Sequence, residues 1–66
     1  MIRWYTEDGE AAYFQHDEHF YSAKTDECEL YQINEHVFSM KTNQAVFYIG
    51  ENWMYRMNGQ PAYYHR

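Results

Sequence analysis

The chain has 66 residues, with 5 Lys+Arg against 10 Asp+Glu and a formal net charge of −5. An acidic balance excludes nucleic acid and anionic membrane surfaces as partners, because both require a basic face. The length allows one domain over residues 1–66, and the single cysteine, Cys28, excludes an internal disulfide and a zinc-type cysteine cluster.

Taken in order, the chain repeats itself. Gly9–Thr25 reads GEAAYFQHDEHFYSAKT, Asp26–Thr42 reads DECELYQINEHVFSMKT, and Asn43–Asn58 reads NQAVFYIGENWMYRMN. Gly59–Arg66 begins a further copy, and Met1–Asp8 matches the second half of one, with Trp4-Tyr5 standing where Phe20-Tyr21 stand. The steps Ala11 to Cys28 and Cys28 to Ala45 are 17 residues, and Ala45 to Pro61 is 16. A fixed period of this kind signals an array of supersecondary units. Apolar residues alternate or come in adjacent pairs, and turn residues recur too often to leave room for a helix. The expectation is an all-β, antiparallel meander of short hairpin repeats. About eight strands are predicted, near 2–6, 10–15, 19–23, 27–32, 36–40, 44–49, 53–57 and 60–65, in a single sheet or a small two-layer roll.

Two kinds of turn are expected between repeats. Asp8-Gly9 and Asn58-Gly59 have the chemistry of two-residue type I′ loops, in which both residues take positive φ. Lys24-Thr25-Asp26 and Lys41-Thr42-Asn43 suit three-residue loops ending in a left-handed residue. Exchanging one kind for the other accounts for the step of 16. The turns around His16-Asp17, Asn34-Glu35 and Gly50-Glu51 are assigned an even number of residues, since an odd loop would reverse the facing of every later side chain.

This register separates two faces. One carries Trp4, Ala11, Tyr13, Phe20, Cys28, Leu30, Val37, Ala45, Phe47, Met54, Pro61 and Tyr63, with Thr6, Ser22, Ser39 and Arg56 along a margin. It alternates small and large residues as packed cores do. The other carries Tyr5, Phe14, Tyr21, Tyr31, Phe38, Tyr48, Tyr55 and Tyr64, with His19, His36 and Trp53. Pro61 is expected on an edge strand. With both faces apolar, the layer must curl over itself or pair with a second chain.

No catalytic constellation is legible, and the chain is read as non-enzymatic. Cys28 lies mid-strand beside Glu29, without the cations that favour a thiolate. Ser22 and Ser39 occupy equivalent repeat positions, which fits a structural margin better than a nucleophile. His16-Asp17-Glu18-His19 is the only metal-like grouping, but its spacing alone does not supply the three or four ligands zinc takes. His19 and His36 stand two strands apart, roughly 9–10 Å at standard strand spacing, too far for one ion. No metal or cofactor is assigned.

The binding candidates are therefore the aromatic residues Tyr21, Tyr31, Phe38, Tyr48, Trp53 and Tyr55. Tyr and Trp combine a large apolar area with a polar tip and are enriched in interfaces. The function expected is protein–protein interaction or self-association, as a homodimer or larger homo-oligomer. The alternative is a carbohydrate- or small-ligand-binding module using Trp53 and its tyrosine neighbours as a platform. The polar start of the chain and the lone cysteine favour the cytoplasm. No apolar run approaches the roughly 20 residues a spanning helix needs.

Tyr48-Ile49-Gly50-Glu51-Asn52-Trp53-Met54-Tyr55 followed by Asn58-Gly59-Gln60-Pro61 resembles a tandem hairpin repeat of small uncharacterised bacterial proteins, of pattern Y-I-x-x-x-x-I-Y-x-x-x-G-x-P. The resemblance covers the last third of the chain. It implies a bacterial all-β repeat protein and no known activity.

Overall fold

A computed structural model describes residues 1–66. Eight strands follow one another, each hydrogen-bonded antiparallel to the next: β1 (Ile2–Tyr5), β2 (Ala11–His16), β3 (His19–Ser22), β4 (Cys28–Ile33), β5 (His36–Ser39), β6 (Ala45–Gly50), β7 (Trp53–Arg56) and β8 (Pro61–His65). There is no helix. Strand β8 pairs back onto β1 through Trp4↔His65 and Tyr5↔Tyr64, so the meander closes into a barrel. Closure decides the question left open by two apolar faces. One is rolled inside and the other becomes the outer wall.

The inside is built from repeat-equivalent positions. Trp4, Phe20, Val37 and Met54, one from each odd strand, are all at most 1% exposed. Leu30 joins them in the core cluster, and Tyr13, Phe47, Ile49 and Tyr63 pack around it. An eight-stranded barrel has an interior just wide enough for side chains to fill. Here bulky Trp4 and Phe20 are balanced by slimmer Val37 and Met54.

The turns within repeats are two-residue loops, since His16 pairs with His19, Ile33 with His36, and Gly50 with Trp53. Their first residues, Asp17, Asn34 and Glu51, hold φ of 55°, 54° and 56°. Asp and Asn tolerate this left-handed conformation; Glu51 does so less readily.

The turns between repeats are each one residue longer than their sequences suggest. Thr6 N–H donates to the Glu10 carbonyl and Gly9 N–H to that of Thr6, which makes Glu7-Asp8-Gly9 a three-residue loop. Met57-Asn58-Gly59 is built the same way between Arg56 and Gln60. Only the glycines take positive φ, 90° at Gly9 and 94° at Gly59, so these are not type I′ turns. A type I turn followed by a left-handed glycine explains the geometry. The Lys24 and Lys41 turns are four-residue loops closed by Ser22 N–H to the Glu27 carbonyl and Ser39 N–H to that of Gln44, with Asp26 and Asn43 as the left-handed residues. The difference of one residue between the two kinds survives, and with it the account of the one shorter repeat step of 16. The Ser22 and Ser39 hydroxyls accept loop N–H groups from Lys24 and Thr25 and from Lys41 and Thr42, a structural role. A Cβ at Gly59 would meet nothing within 4 Å. Gly59→Val is therefore expected to cost about 1 kcal/mol or more through backbone strain alone. Urea unfolding would measure it, and an unchanged midpoint would refute this turn geometry.

Four β-bulges correct the assignment of faces. The register slips by one residue at the start of β2, β4, β6 and β8, leaving Ala12, Glu29, Val46 and Ala62 without a cross-strand partner. An extra residue resets the alternation. Ala11, Cys28, Ala45 and Pro61 thus stand opposite the outer aromatics Tyr5, Tyr21, Phe38 and Tyr55, not among the core residues. The bulge residues differ in burial, with Ala12 half-buried and Glu29 exposed. Ala62 is buried, and Val46 packs on the core. Pro61 is not on an edge, because a closed barrel has none. It is tolerated as the first residue of β8, at a bulge, outside the two residue pairs that join β8 to β1.

Candidate functional site

Cross-strand pairing arranges the outer side chains into a girdle. Each even strand contributes one ring, Phe14, Tyr31, Tyr48 or Tyr64. Each is flanked on one side by Tyr21, Phe38, Tyr55 or Tyr5, and on the other by Arg3, His19, His36 or Trp53. Side chains directly opposite in antiparallel strands lie close enough for rings to interact. Tyr31 and Phe38 stack at 5.3 Å and 15°, and Tyr48 and Tyr55 at 5.3 Å and 23°. Tyr5–Tyr64 and Trp53–Tyr64 are tilted pairs at 5.7 and 5.4 Å. The Arg66 guanidinium lies 4.7 Å from the Tyr5 ring centre, and that of Arg3 lies 5.8 Å from Phe14.

All six binding candidates, Tyr21, Tyr31, Phe38, Tyr48, Trp53 and Tyr55, lie on this outer wall, and all are half-buried. They do not converge on one pocket. Tyr31–Phe38 and Tyr48–Tyr55 form two successive stacks, while Trp53 belongs to the next pair, against Tyr64. Phe14, Tyr64 and Tyr5 complete the girdle, and the repeat alignment already marks them as equivalents. Gly50 breaks the pattern. It stands opposite Trp53 where His16 and Ile33 stand opposite His19 and His36, and the Tyr55 ring covers the gap at 3.4 Å from where its Cβ would be.

His16 and His19 are cross-strand partners, and His16 Nε2 lies 3.7 Å from the Asp17 carboxylate. No group of three or more His, Cys, Asp or Glu side chains comes together anywhere in the barrel. Cys28 Sγ lies 3.7 Å from the Leu30 carbonyl, half-buried on the outer side of its bulge.

The two ends of the barrel differ. At the end of the two-residue loops, a hydrogen-bonded plug closes the interior. Trp4 Nε1 donates to Gln15 Oε1 at 2.9 Å, and Gln15 Nε2 donates both to Gln32 Oε1 at 2.7 Å and to the Asp17 carbonyl at 2.9 Å. Gln32 Nε2 in turn donates to the Asn34 carbonyl at 2.7 Å. Each glutamine caps its own repeat's turn, and the two lock onto each other. The last repeat places His65 there, edge-on to Trp4 at 4.8 Å.

The other end is open. Tyr13 and Tyr63 meet edge to face at 5.4 Å, and Phe47 meets Tyr63 at 5.7 Å. Burial pushes the Tyr13 hydroxyl well above its usual range, and neighbouring Tyr63 and Glu29 push it further. Tyr13 therefore stays protonated at any ordinary pH. The sequence singles out neither this trio of rings nor the exposed Glu29 beside Tyr13, because the bulge at Glu29 is not visible in it. Comparison with protein-family models, curated proteins and solved structures finds no match to this chain.

Proposed function

We propose that this chain is a non-enzymatic binding module acting through protein–protein contact on its outer aromatic wall, including contact with further copies of itself. One observation carries the reading. Barrel closure hides the core without help from the girdle, yet two ring stacks and Trp53 remain half-exposed on one continuous side. Rigid aromatics bring contact area at low entropic cost. A surface of this composition at the solvent boundary fits an interface. Closed symmetric dimers are the commonest form such self-contact takes. The single thiol and the absence of disulfides suit a reducing compartment, which we take to be the cytoplasm. No helix is long and apolar enough to cross a membrane.

Sedimentation velocity across a micromolar range tests the reading. A dimer or larger species is expected, and Phe38→Asp is expected to give a folded monomer, because Phe38 lies outside the core. A parent chain that stays monomeric at high concentration, and binds no protein through this wall, would overturn it. A second reading has its own support. Trp53 is half-exposed on the outer wall beside Tyr64, and an indole beside a tyrosine ring is a surface on which a sugar ring can stack. Quenching or shift of Trp53 emission in a saccharide titration would favour a carbohydrate platform instead.

A further inference from the structure

The repeats differ at one inner position. Tyr13, Leu30, Phe47 and Tyr63 are equivalent, and they stand opposite Trp4, Phe20, Val37 and Met54 in the neighbouring strands. Three of the four are rings. Tyr63 meets Tyr13 at 5.4 Å and Phe47 at 5.7 Å, both edge to face. The series stops at Leu30 on β4, which lies between Tyr13 on β2 and Phe47 on β6. Crowding by its partner does not account for the leucine, because Trp4 is bulkier than Phe20 and still stands opposite a tyrosine.

A hollow marks the place. The first two repeats carry hollows at equivalent sites, one bordered by Ser22 and Lys24 and the other by Ser39 and Lys41. The hollow against Tyr13 measures about 290 Å³, and the one against Leu30 about 630 Å³. Leu30, Met40, Val46 and Phe47 line the apolar part of the larger one, whose size is that of small-molecule sites. Tyr13 and Tyr63 line only its neighbour.

We propose that the hollow at Leu30 binds a small molecule through a single uncharged aromatic ring, of the phenol class, at the one place in the layer where the repeat supplies no ring. Phe47 offers such a ring the edge-to-face contact it already makes with Tyr63. Leu30 and Val46 offer aliphatic walls, and hollows lined by leucine and phenylalanine take up benzene-like rings. The Ser39 hydroxyl accepts the Lys41 and Thr42 N–H groups, which leaves its own proton to donate to a phenolic oxygen. The rim selects against charge. Glu27, Glu29 and Lys41 border the hollow, all three exposed, and two carboxylates against one ammonium disfavour an anionic ring such as benzoate. This site does not involve the outer ring stacks or Trp53, so either reading can fail without the other.

The test is an NMR titration with phenol, run in parallel with cyclohexanol and benzoate. Phenol is expected to shift the Leu30 and Val46 methyl and the Phe47 ring resonances saturably in the millimolar range. Cyclohexanol, of similar size but without a π face, should bind about three- to tenfold more weakly, the ratio that an edge-to-face ring contact supplies. Benzoate should also bind more weakly than phenol. Leu30→Tyr, which installs the residue of the first repeat, is expected to abolish the shifts at Val46 and Phe47 while leaving the thermal midpoint unchanged or higher. Leu30→Phe, with the residue of the third repeat, provides a second variant if the first is poorly folded. No saturable shift, equal binding of phenol and either control, unaltered phenol affinity in a folded variant, or shifts confined to Tyr48, Tyr55 and Trp53 would each overturn the proposal.

Discussion

Phe20→Ala is expected to remove a third or more of the protein's folding stability, the largest loss of any single truncation in the core. Phe20 has no exposed surface and belongs to the core cluster, 6.2 Å from Trp4 and 6.4 Å from Tyr13, ring centre to ring centre. Truncating a buried phenylalanine to alanine typically costs about 3–5 kcal/mol, because the lost transfer energy is joined by the cost of a cavity. Native domains hold roughly 0.05–0.15 kcal/mol per residue, which for this length is only about 3–10 kcal/mol in all. The substitution therefore removes a third of the stability or more, and at the lower end all of it. Phe38→Ala serves as the comparison. Phe38 is an aromatic of the same size one repeat later, but it lies on the outer wall, half-buried against Tyr31. Its truncation should cost clearly less. Urea unfolding of the two variants distinguishes inside from outside, and equal losses would show that the barrel does not close as described.

Gln15→Leu is expected to have the second-largest effect, from loss of polar satisfaction. Gln15 is 7% exposed and is the acceptor for the Trp4 indole N–H, itself on a residue 1% exposed. Leucine fills a comparable space but accepts nothing. A buried donor left without a partner costs about 1–3 kcal/mol. Gln32, which loses the Gln15 donor, still reaches the Asn34 carbonyl and adds less. The informative measurement is a double-mutant cycle with Trp4→Phe, which removes the orphaned N–H. Asymmetry between losing one partner and losing both predicts that Gln15→Leu costs less in the Trp4→Phe background than in the parent. Strict additivity would mean that the plug contributes packing alone.

Much of this architecture was legible because it rests on local chemistry. Period-two alternation, the Gly, Asn and Asp positions and the 17-residue step are properties of neighbouring residues, and they place all eight strands to within one residue at each end. They also identify Trp4, Phe20, Val37 and Met54 as one set and the tyrosine ladder as another. The exact loop lengths were less legible. Asn58-Gly59 as a dipeptide suits either a type I′ loop or the last two places of a longer one, and only the hydrogen bond from Gly59 to Arg56 decides between them.

What the sequence alone determined is thus an antiparallel hairpin array with two apolar faces. Which face turns inward and whether the array closes were decided by the tertiary structure. A bulge is a relation between two strands, so Ala12, Glu29, Val46 and Ala62 look like ordinary strand residues until their partners are known. Closure is likewise a property of the whole sheet. The bulges add local twist to the strands that carry them, and the accumulated bend brings β8 within hydrogen-bonding reach of β1. Trp4, Phe20, Val37 and Met54 fill the narrow interior, while eight rings of Phe and Tyr have room only on the longer outer circumference. The ring trio Tyr13, Phe47 and Tyr63 comes together only once that choice has been made.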